Sequence, residues 1–352
     1  MTPSRPPVFP DQYDALLLVS FGGPERTEDV IPFLEYVLRG KNVLRERMLE
    51  VAEHYYHFGG KSPINEQNRD LIAALECELN AQAPALPIYW GNRNWHPMLA
   101  DTLGRMRADG IRRALAFATS AFGSYSGCRQ YREDFERART EIGSGAPEIH
   151  KLRTFHDHPG FIHAMAERVR EALNRIPDDR RAAAPLLFTA HSIPISMAEM
   201  SPYVAQLLES CGLVSQAVGR PGALVYQSRS GPPMQPWLEP DVCDSIRQLH
   251  AGGGLKDLVL APIGFLSDHM EVVYDLDTEA AALCREIGVN LSRAATVGVH
   301  PAFVSMIREL ILELTEGRER RCLGRASAGC DTCGPDCCPP PKRAPVKSAE
   351  AR

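Results

Sequence analysis

Six short apolar runs punctuate the chain, at 15–20, 86–90, 114–119, 186–190, 223–227 and 258–263. None alternates cleanly between apolar and polar positions. Continuous apolar strands are what a parallel sheet covered by helices on both faces requires, because neither face then meets water. Stretches with helical spacing lie between them and predict helices over 28–38, 67–81, 98–109, 129–141, 159–175 and 270–286, with a last one over 301–315. Strands alternating with helices place the chain in the α/β class. The turn-rich EIGSGAPEIH at 141–150 divides the six runs three and three, so two similar halves are expected over 13–145 and 146–300, followed by a helix over 301–316. Residues 1–12 and 317–352 carry no hydrophobic period and read as a flexible N-terminus and a cysteine-rich tail.

A length of 352 residues suits two such halves. Lys plus Arg number 39 and Asp plus Glu 44, a net charge of −5, which offers a polyanion no general attraction and argues against a nucleic-acid partner. No apolar run approaches the roughly 18 to 20 residues of a membrane span, and the N-terminal MTPSRPPVFPDQ lacks the apolar core of a secretory signal. The expectation is a cytoplasmic chain with no transmembrane segment, a monomer being favoured. Of ten cysteines, Cys322, Cys330, Cys333, Cys337 and Cys338 crowd the tail, a pattern that in a reducing compartment points to metal more than to disulfides. Cys77, Cys211, Cys243 and Cys284 are scattered and read as small buried hydrophobes.

Open parallel sheets bind ligands beyond the carboxyl ends of their strands, and here every such end is loaded. In order they read SFGGPE, GNRNWHP, TSAFGSYSGC, AHSIP, QSRSGPPMQPW and GFLSDHMEVVYDLD. The turn at Phe21 to Pro24 lacks the third glycine of a dinucleotide fingerprint and the lysine of a P-loop, so it reads as a tight turn that lets a flat ligand approach the backbone. His191 ends a strand at the mouth of this crevice, either as a structural histidine bonded to a loop carbonyl or as a site residue. In SDHMEVVYDLDTE, six titratable residues, Asp268, His269, Glu271, Asp275, Asp277 and Glu279, fall within twelve positions. Asp268 is a plausible N-cap, and Glu271 and Asp275 share a helix face. An acidic first turn complements a helix dipole, but carboxylates continuing to Glu279 look like a route for cations or protons, and loose oxygen and imidazole donors suit a divalent ion that is to be passed on.

The blocks SFGGP, HFGGKSPIN, GNRNWHP, TSAFGSYSGCRQYRED, FTAHSIP, QSRSGPPMQPWLEPDV and PIGFLSDHMEVVYDLD, in this order from about residue 13 to 315, resemble ferrochelatases, most closely the actinobacterial type of the coproporphyrin branch. The resemblance implies a lyase of haem biosynthesis that inserts Fe²⁺ into a porphyrin and releases two protons, with coproporphyrin III favoured and protoporphyrin IX as the alternative. It also implies a chelatase-like fold: two Rossmann-like or flavodoxin-like halves, each with a four-stranded parallel sheet, a porphyrin cleft between them, and the last helix packed back on the first half. By matching motifs, His191 and Glu271 become the catalytic pair that meets Fe²⁺, His191 as first proton acceptor and Glu271 as metal and proton relay. Asp268 and His269 support them, and Tyr274, Asp275 and Asp277 extend the acidic wall. Phe21, His54, Tyr55, Ser62 and Tyr131 fall at porphyrin-contacting positions. Phe21 replaces the tyrosine of many bacterial relatives and cannot ligate iron. Porphyrin and ferrous iron are the expected partners, with transient partners in haem synthesis.

Some members of the family hold a [2Fe-2S] cluster through one internal cysteine and three from a C-terminal extension. The resemblance then assigns Cys128, Cys330, Cys333 and Cys338, with Cys322 and Cys337 as alternates. Four thiolates equally suit structural zinc. A non-catalytic tetrapyrrole or metal carrier would keep the crevice without needing His191 or Glu271.

Overall fold

The computed structural model describes residues 13–40, 43–82, 84–231, 234–324, 328–329, 334 and 336–340. The N-terminal 1–12 segment, Cys330 and Cys333 lie outside the described residues. Eight strands build two sheets: β1 (Ala15–Ser20), β2 (Ile88–Asn92), β3 (Arg113–Ala118), β4 (Glu148–Lys151), β5 (Leu186–His191), β6 (Ala223–Gln227), β7 (Asp257–Ala261) and β8 (Asn290–Arg293). Their orders, β2-β1-β3-β4 and β6-β5-β7-β8, are the same topology twice, and every pairing is parallel. The register repeats as well: β1 ends with Ser20 opposite Asn92, and β5 ends with His191 opposite Gln227. In each sheet the chain leaves the first strand to one side and returns on the other, which opens a crevice at the carboxyl ends of β1 and β5.

The six apolar runs are the six inner and early strands. The two they omit, β4 (EIHK) and β8 (NLSR), are four-residue edge strands with three of their four positions charged or polar. Edge position alone does not set them apart, since β2 and β6 are edges too; β4 and β8 are short and polar, so no apolar run marks them. Because β4 pairs with β3, the first sheet extends to Lys151, and the turn at 141–147 precedes its last strand instead of separating the halves.

One cluster of buried side chains runs through both sheets, from Leu16, Leu115 and Phe117 to Phe188, Val259 and Ala261. Phe155, Phe161 and Phe303 join them, with Phe117 stacked on Phe155 at 5.3 Å between centroids. The closing helix Pro301–Thr315 lies against both Pro159–Asn174 and the first-half helix Ile64–Gln82, where Arg308 Nε donates to Glu78 Oε1 at 2.8 Å. Below it, buried Arg153 forms a two-pronged pair with Glu313, 2.7 and 2.8 Å, and its Nη2 also donates to the Arg321 carbonyl. Cys211 and Cys284 are buried as expected, whereas Cys77 is exposed on its helix and Cys243 is only half-buried. Among the described residues no helix is long and apolar enough to cross a membrane.

Candidate active site

The first half supplies an aromatic wall. Phe21, just past β1, is 40% exposed, and its ring meets the edge of Phe33, which in turn contacts Tyr55 and Trp95 at 5.8 and 6.0 Å. So large an apolar surface at a strand end is available to a flat ligand. The turn behind it is fixed by close packing: Gly22 has φ of +82°, and a Cβ there would lie 2.8 Å from Asn92 Cβ. Ser62 is buried under Gly23, and its N–H donates to the Pro24 carbonyl at 2.8 Å, so it holds the turn.

The second half supplies the titratable wall. His191, the last residue of β5, places Nε2 3.4 Å from Glu271 Oε1, while its Nδ1 meets the Ser192 carbonyl. The loop-carbonyl contact of a structural histidine is thus made by Nδ1, while Nε2 faces a carboxylate. Tyr203 Oη donates to the His191 carbonyl at 3.0 Å and fixes the strand end. Burial would lower the imidazole pKa, but the Glu271 charge and hydrogen bond, the Ser192 carbonyl and Asp275 outweigh it and raise the value to about 9. The resting pair is imidazolium and carboxylate.

The expected helix over 270–286 exists, with an interior that the sequence pattern did not announce. It starts as an α-turn at Met270–Val272, widens to a π-helix over Val273–Ala280 and returns to α at Ala281–Glu286. Thr278 Oγ1 reaches the Val273 carbonyl, five residues back. Such widened turns concentrate at functional sites. Its N-cap is His269, not Asp268: His269 Nδ1 accepts from the Glu271 N–H at 3.1 Å, which leaves Nε2 facing Glu271 Oε2 at 3.8 Å. Burial, with His191 nearby, keeps the His269 pKa below its ordinary value against the pull of Glu271.

Asp268 has another task. Arg293, from the end of β8, donates to Asp268 at 2.7 Å and to both oxygens of Asp277 at 2.8 Å, so these two carboxylates are matched to one cation and tie the helix to the sheet edge. The Asp268 backbone also bonds Gln67 of the first half, N–H to Oε1 at 2.8 Å. The carboxylates that remain with Glu271 are Asp275 and Glu279. Asp275 is pushed up to about 7, by burial first and by the charges of Glu271 and Glu279, against hydrogen bonding from Ser228 and the charge of His191. Burial and Asp241 raise Glu279.

Several supporting residues carried no motif weight in the sequence. Ser228 adopts φ of +62°, uncommon for a residue with a side chain, and that conformation aims its hydroxyl at Asp275 Oδ2. Gln227 donates to the Glu271 carbonyl at 3.0 Å and to Asp275 at 3.3 Å. Both lie in the QSRSGPP block, whose position after β6 was the available signal. Arg293 had none, because the strand that carries it was not visible.

The two walls touch where His54 stacks on Tyr274, with centroids 3.6 Å apart and planes 7° from parallel. A cavity of about 560 Å³ lies beside this stack, lined by Glu53, His54, Tyr56, His57, Tyr274 and Thr278. Tyr55 reaches the field of Glu271, and burial, then that charge, hold its phenol protonated. Tyr131 does not reach the rim: it is 4% exposed in the core beneath β1 and β3, with the Arg93 guanidinium over its ring at 3.8 Å. Its expected porphyrin contact therefore gives way to a packing role beneath the site.

Cys128 and Cys338 are brought together in a separate buried patch. Burial, Cys337 and then Cys128 push the Cys338 thiol up to about 12, and Arg129 donates to the Cys337 carbonyl at 3.4 Å. Cys337 Sγ lies 3.8 Å from Cys338 Sγ.

The chain thus presents a doubled parallel sheet with a histidine and a carboxylate facing each other at the switch point of its second half. The solved sirohydrochlorin chelatase SirB of Bacillus subtilis subspecies spizizenii has the same fold, with a TM-score of 0.51 at 11% identity, over 86% of this chain and 95% of that one. The ferrochelatase family model matches residues 13–315, and the chain belongs to that family. It is 58% identical to a ferrochelatase of Rhodopirellula baltica, over 95% of this chain and 96% of the relative. It is 50% identical to a coproporphyrin III ferrochelatase of Nocardia farcinica, over 94% and 97%. The protein is a porphyrin metal chelatase.

Proposed function

We propose that this protein inserts Fe²⁺ into coproporphyrin III, with His191 and Glu271 at the reacting nitrogens and Phe21 and Tyr55 against the macrocycle. The observation that carries this reading is the 3.4 Å approach of His191 Nε2 to Glu271 Oε1 at the switch point of the second sheet. Insertion exchanges two pyrrole N–H protons for one dication, so the site must hold a cation and accept protons in turn. A resting imidazolium cannot accept a proton. Fe²⁺ on Glu271 withdraws the negative charge that keeps His191 protonated; the imidazole releases its proton and becomes the first base. Asp275, poised near neutrality, and Glu279 beyond it lead protons out along the π-helix, while Asp268 and Asp277, committed to Arg293, set the position of that helix and carry none.

Coproporphyrin III is preferred on the names of several relatives near 50% identity. Four propionates favour extra basic contacts, for which Arg39, Arg45, Arg93 and Arg229 are the candidates; Arg93 is unavailable, because it is buried against Asp134 at 2.5 Å, and the other three remain. We place the reaction in the cytoplasm, where reducing conditions suit reduced thiols such as Cys211 and Cys284.

The thiols fit a [2Fe-2S] cluster: Cys128 and Cys338 sit side by side out of water, and Cys330 and Cys333 complete the set. Such a cluster would be held by these thiolates and would pin the tail to the body, with Arg129 favouring the charged form of the Cys338 thiol. The test is anaerobic turnover with Fe²⁺ and each porphyrin separately, followed by absorbance. Faster insertion into coproporphyrin III supports the proposal; a preference for protoporphyrin IX overturns the substrate, and porphyrin binding without insertion overturns the catalytic role.

A further inference from the structure

Outside the cleft, one group of donors has no part in the chemistry above. His156 and Asp157 precede the helix Pro159–Asn174, and Glu209 comes from the helix Tyr203–Val218; one donor atom of each lies within 4.8 Å of the others. His156 Nε2 is 3.1 Å from Glu209 Oε2. A carboxylate accepts only, so Nε2 donates to it, and in the neutral imidazole Nδ1 keeps a lone pair, the arrangement in which a second carboxylate orients a metal-binding imidazole. Nδ1 faces Asp157 Oδ1 at 4.0 Å, and neither atom has a hydrogen-bond partner among the described residues.

The two residues are 7% and 2% exposed, so water does not compensate them. Two buried acceptors aimed at each other repel, and each forfeits its solvation. A cation between them removes both costs, and ligand bonds of about 2.1 Å span a 4.0 Å gap at a wide angle. The root of the tail is seated on the same group: Leu323 N–H donates to the Asp157 carbonyl at 2.9 Å, and a Cβ on Gly324 would stand 2.7 Å from Asp157 Oδ2 and 2.8 Å from Glu209 Oε1. Only glycine passes there.

We infer that His156 and Asp157 ligate a second divalent cation, of the first-row transition type, with Glu209 orienting the imidazole and balancing charge, and that this ion fastens residues 322–324 to the body. The site is separate from the His191 and Glu271 pair and works in every state of the reaction.

Co²⁺ titrated into the full-length protein, cluster intact, tests this by equilibrium dialysis. Two Co²⁺ are expected to bind. Glu271→Gln should remove one of them, Asp157→Asn the other, and Glu209→Gln should weaken that other by 10-fold or more while iron insertion stays within twofold of the parent. Glu209 is half-exposed, so its variant reports even if Asp157→Asn fails to fold. Co²⁺ should also slow trypsin cleavage after Arg321 at least fivefold in the parent and not in Glu209→Gln. Wild-type Co²⁺ affinity in Glu209→Gln and Asp157→Asn, or a single bound Co²⁺ that Glu271→Gln abolishes, overturns the site; binding without protection of the tail overturns the fastening.

Discussion

His54 of the first half lies flat on Tyr274 of the second, 3.6 Å between ring centres, and this stack closes one side of the cleft between the walls. Burial lowers the His54 pKa, so the ring is neutral at pH 7 and the contact is one between two uncharged π-systems. Such pairs contribute about 0.5–1.5 kcal/mol beyond their buried area. A planar macrocycle entering beside them must part the stack.

His54→Ala removes that closing contact without touching the inner pair. Porphyrin should then bind about 2- to 10-fold more tightly, as read by quenching of intrinsic fluorescence, with kcat for iron insertion little changed. Weaker binding would show instead that His54 contacts the porphyrin directly and that the stack is part of the bound state.

The His191 and Glu271 pair gives a prediction on both activity and stability. In Glu271→Gln the charge and hydrogen bond that do most to raise the imidazole are gone and only the Ser192 carbonyl and Asp275 oppose burial, so the His191 pKa should fall well below about 9 by NMR titration. In the parent protein the folded state holds more protons than the unfolded one between pH 6.5 and 9. The pair's stabilisation is therefore present in full below 6.5 and is lost as pH rises through 9, a change on the order of 3 kcal/mol. Denaturant midpoints measured across that window should fall in the parent and stay level in Glu271→Gln. His191→Ala, which removes the base, should reduce turnover by about 10²- to 10⁴-fold with porphyrin binding retained.

On the proposed proton route, Asp275 sets the acidic side of the rate profile. Its pKa near 7 is the balance of burial and neighbouring carboxylates against the Ser228 hydroxyl, which favours the charged form. Ser228→Ala removes that hydrogen bond, so Asp275 should rise further and the acidic limb of kcat against pH should move to higher pH. An unmoved limb would take Asp275 out of the proton route.

How much of this was legible follows from what each feature depends on. Inner strands such as β1 and β5 were visible because burial on both faces forces a continuous apolar run. The edge strands EIHK and NLSR were not, and with β8 went Arg293, the cation that holds Asp268 and Asp277. The acidic row was legible as a helix, but the widened turn and the His269 cap depend on Gln227, Ser228 and Arg293 arriving from distant strands. A carried-over motif named Tyr131 without saying which way its helix faces; the packing of Arg93 over its ring turns it inward. His156 and Glu209, 53 positions apart, offered no spacing to read.

Arg153 and Glu313 join the closing helix to the core by two short hydrogen bonds at 0% and 2% side-chain exposure, and the same guanidinium holds the Arg321 carbonyl at the root of the tail. Removing one member of a buried pair strands the other, at about 3–5 kcal/mol. Glu313→Ala should lower stability by that amount in chemical denaturation and hasten proteolysis near Arg321. A loss under about 1 kcal/mol would mean that water reaches Arg153.

Cys128→Ser tests the clasp at the other end of the tail. If Cys128 and Cys338 are two of four cluster ligands, the parent protein is brown, with visible absorption that bleaches on reduction. The variant should be isolated colourless, less stable to heat, and cleaved more readily beyond Arg321, because serine offers no thiolate and the remaining sulfurs cannot hold the tail. Zinc in the same thiols would leave the parent colourless while the variant still lost its tail protection, so colour and proteolysis read the metal and its structural task independently. A brown variant with the parent's stability would take Cys128 out of the ligand set.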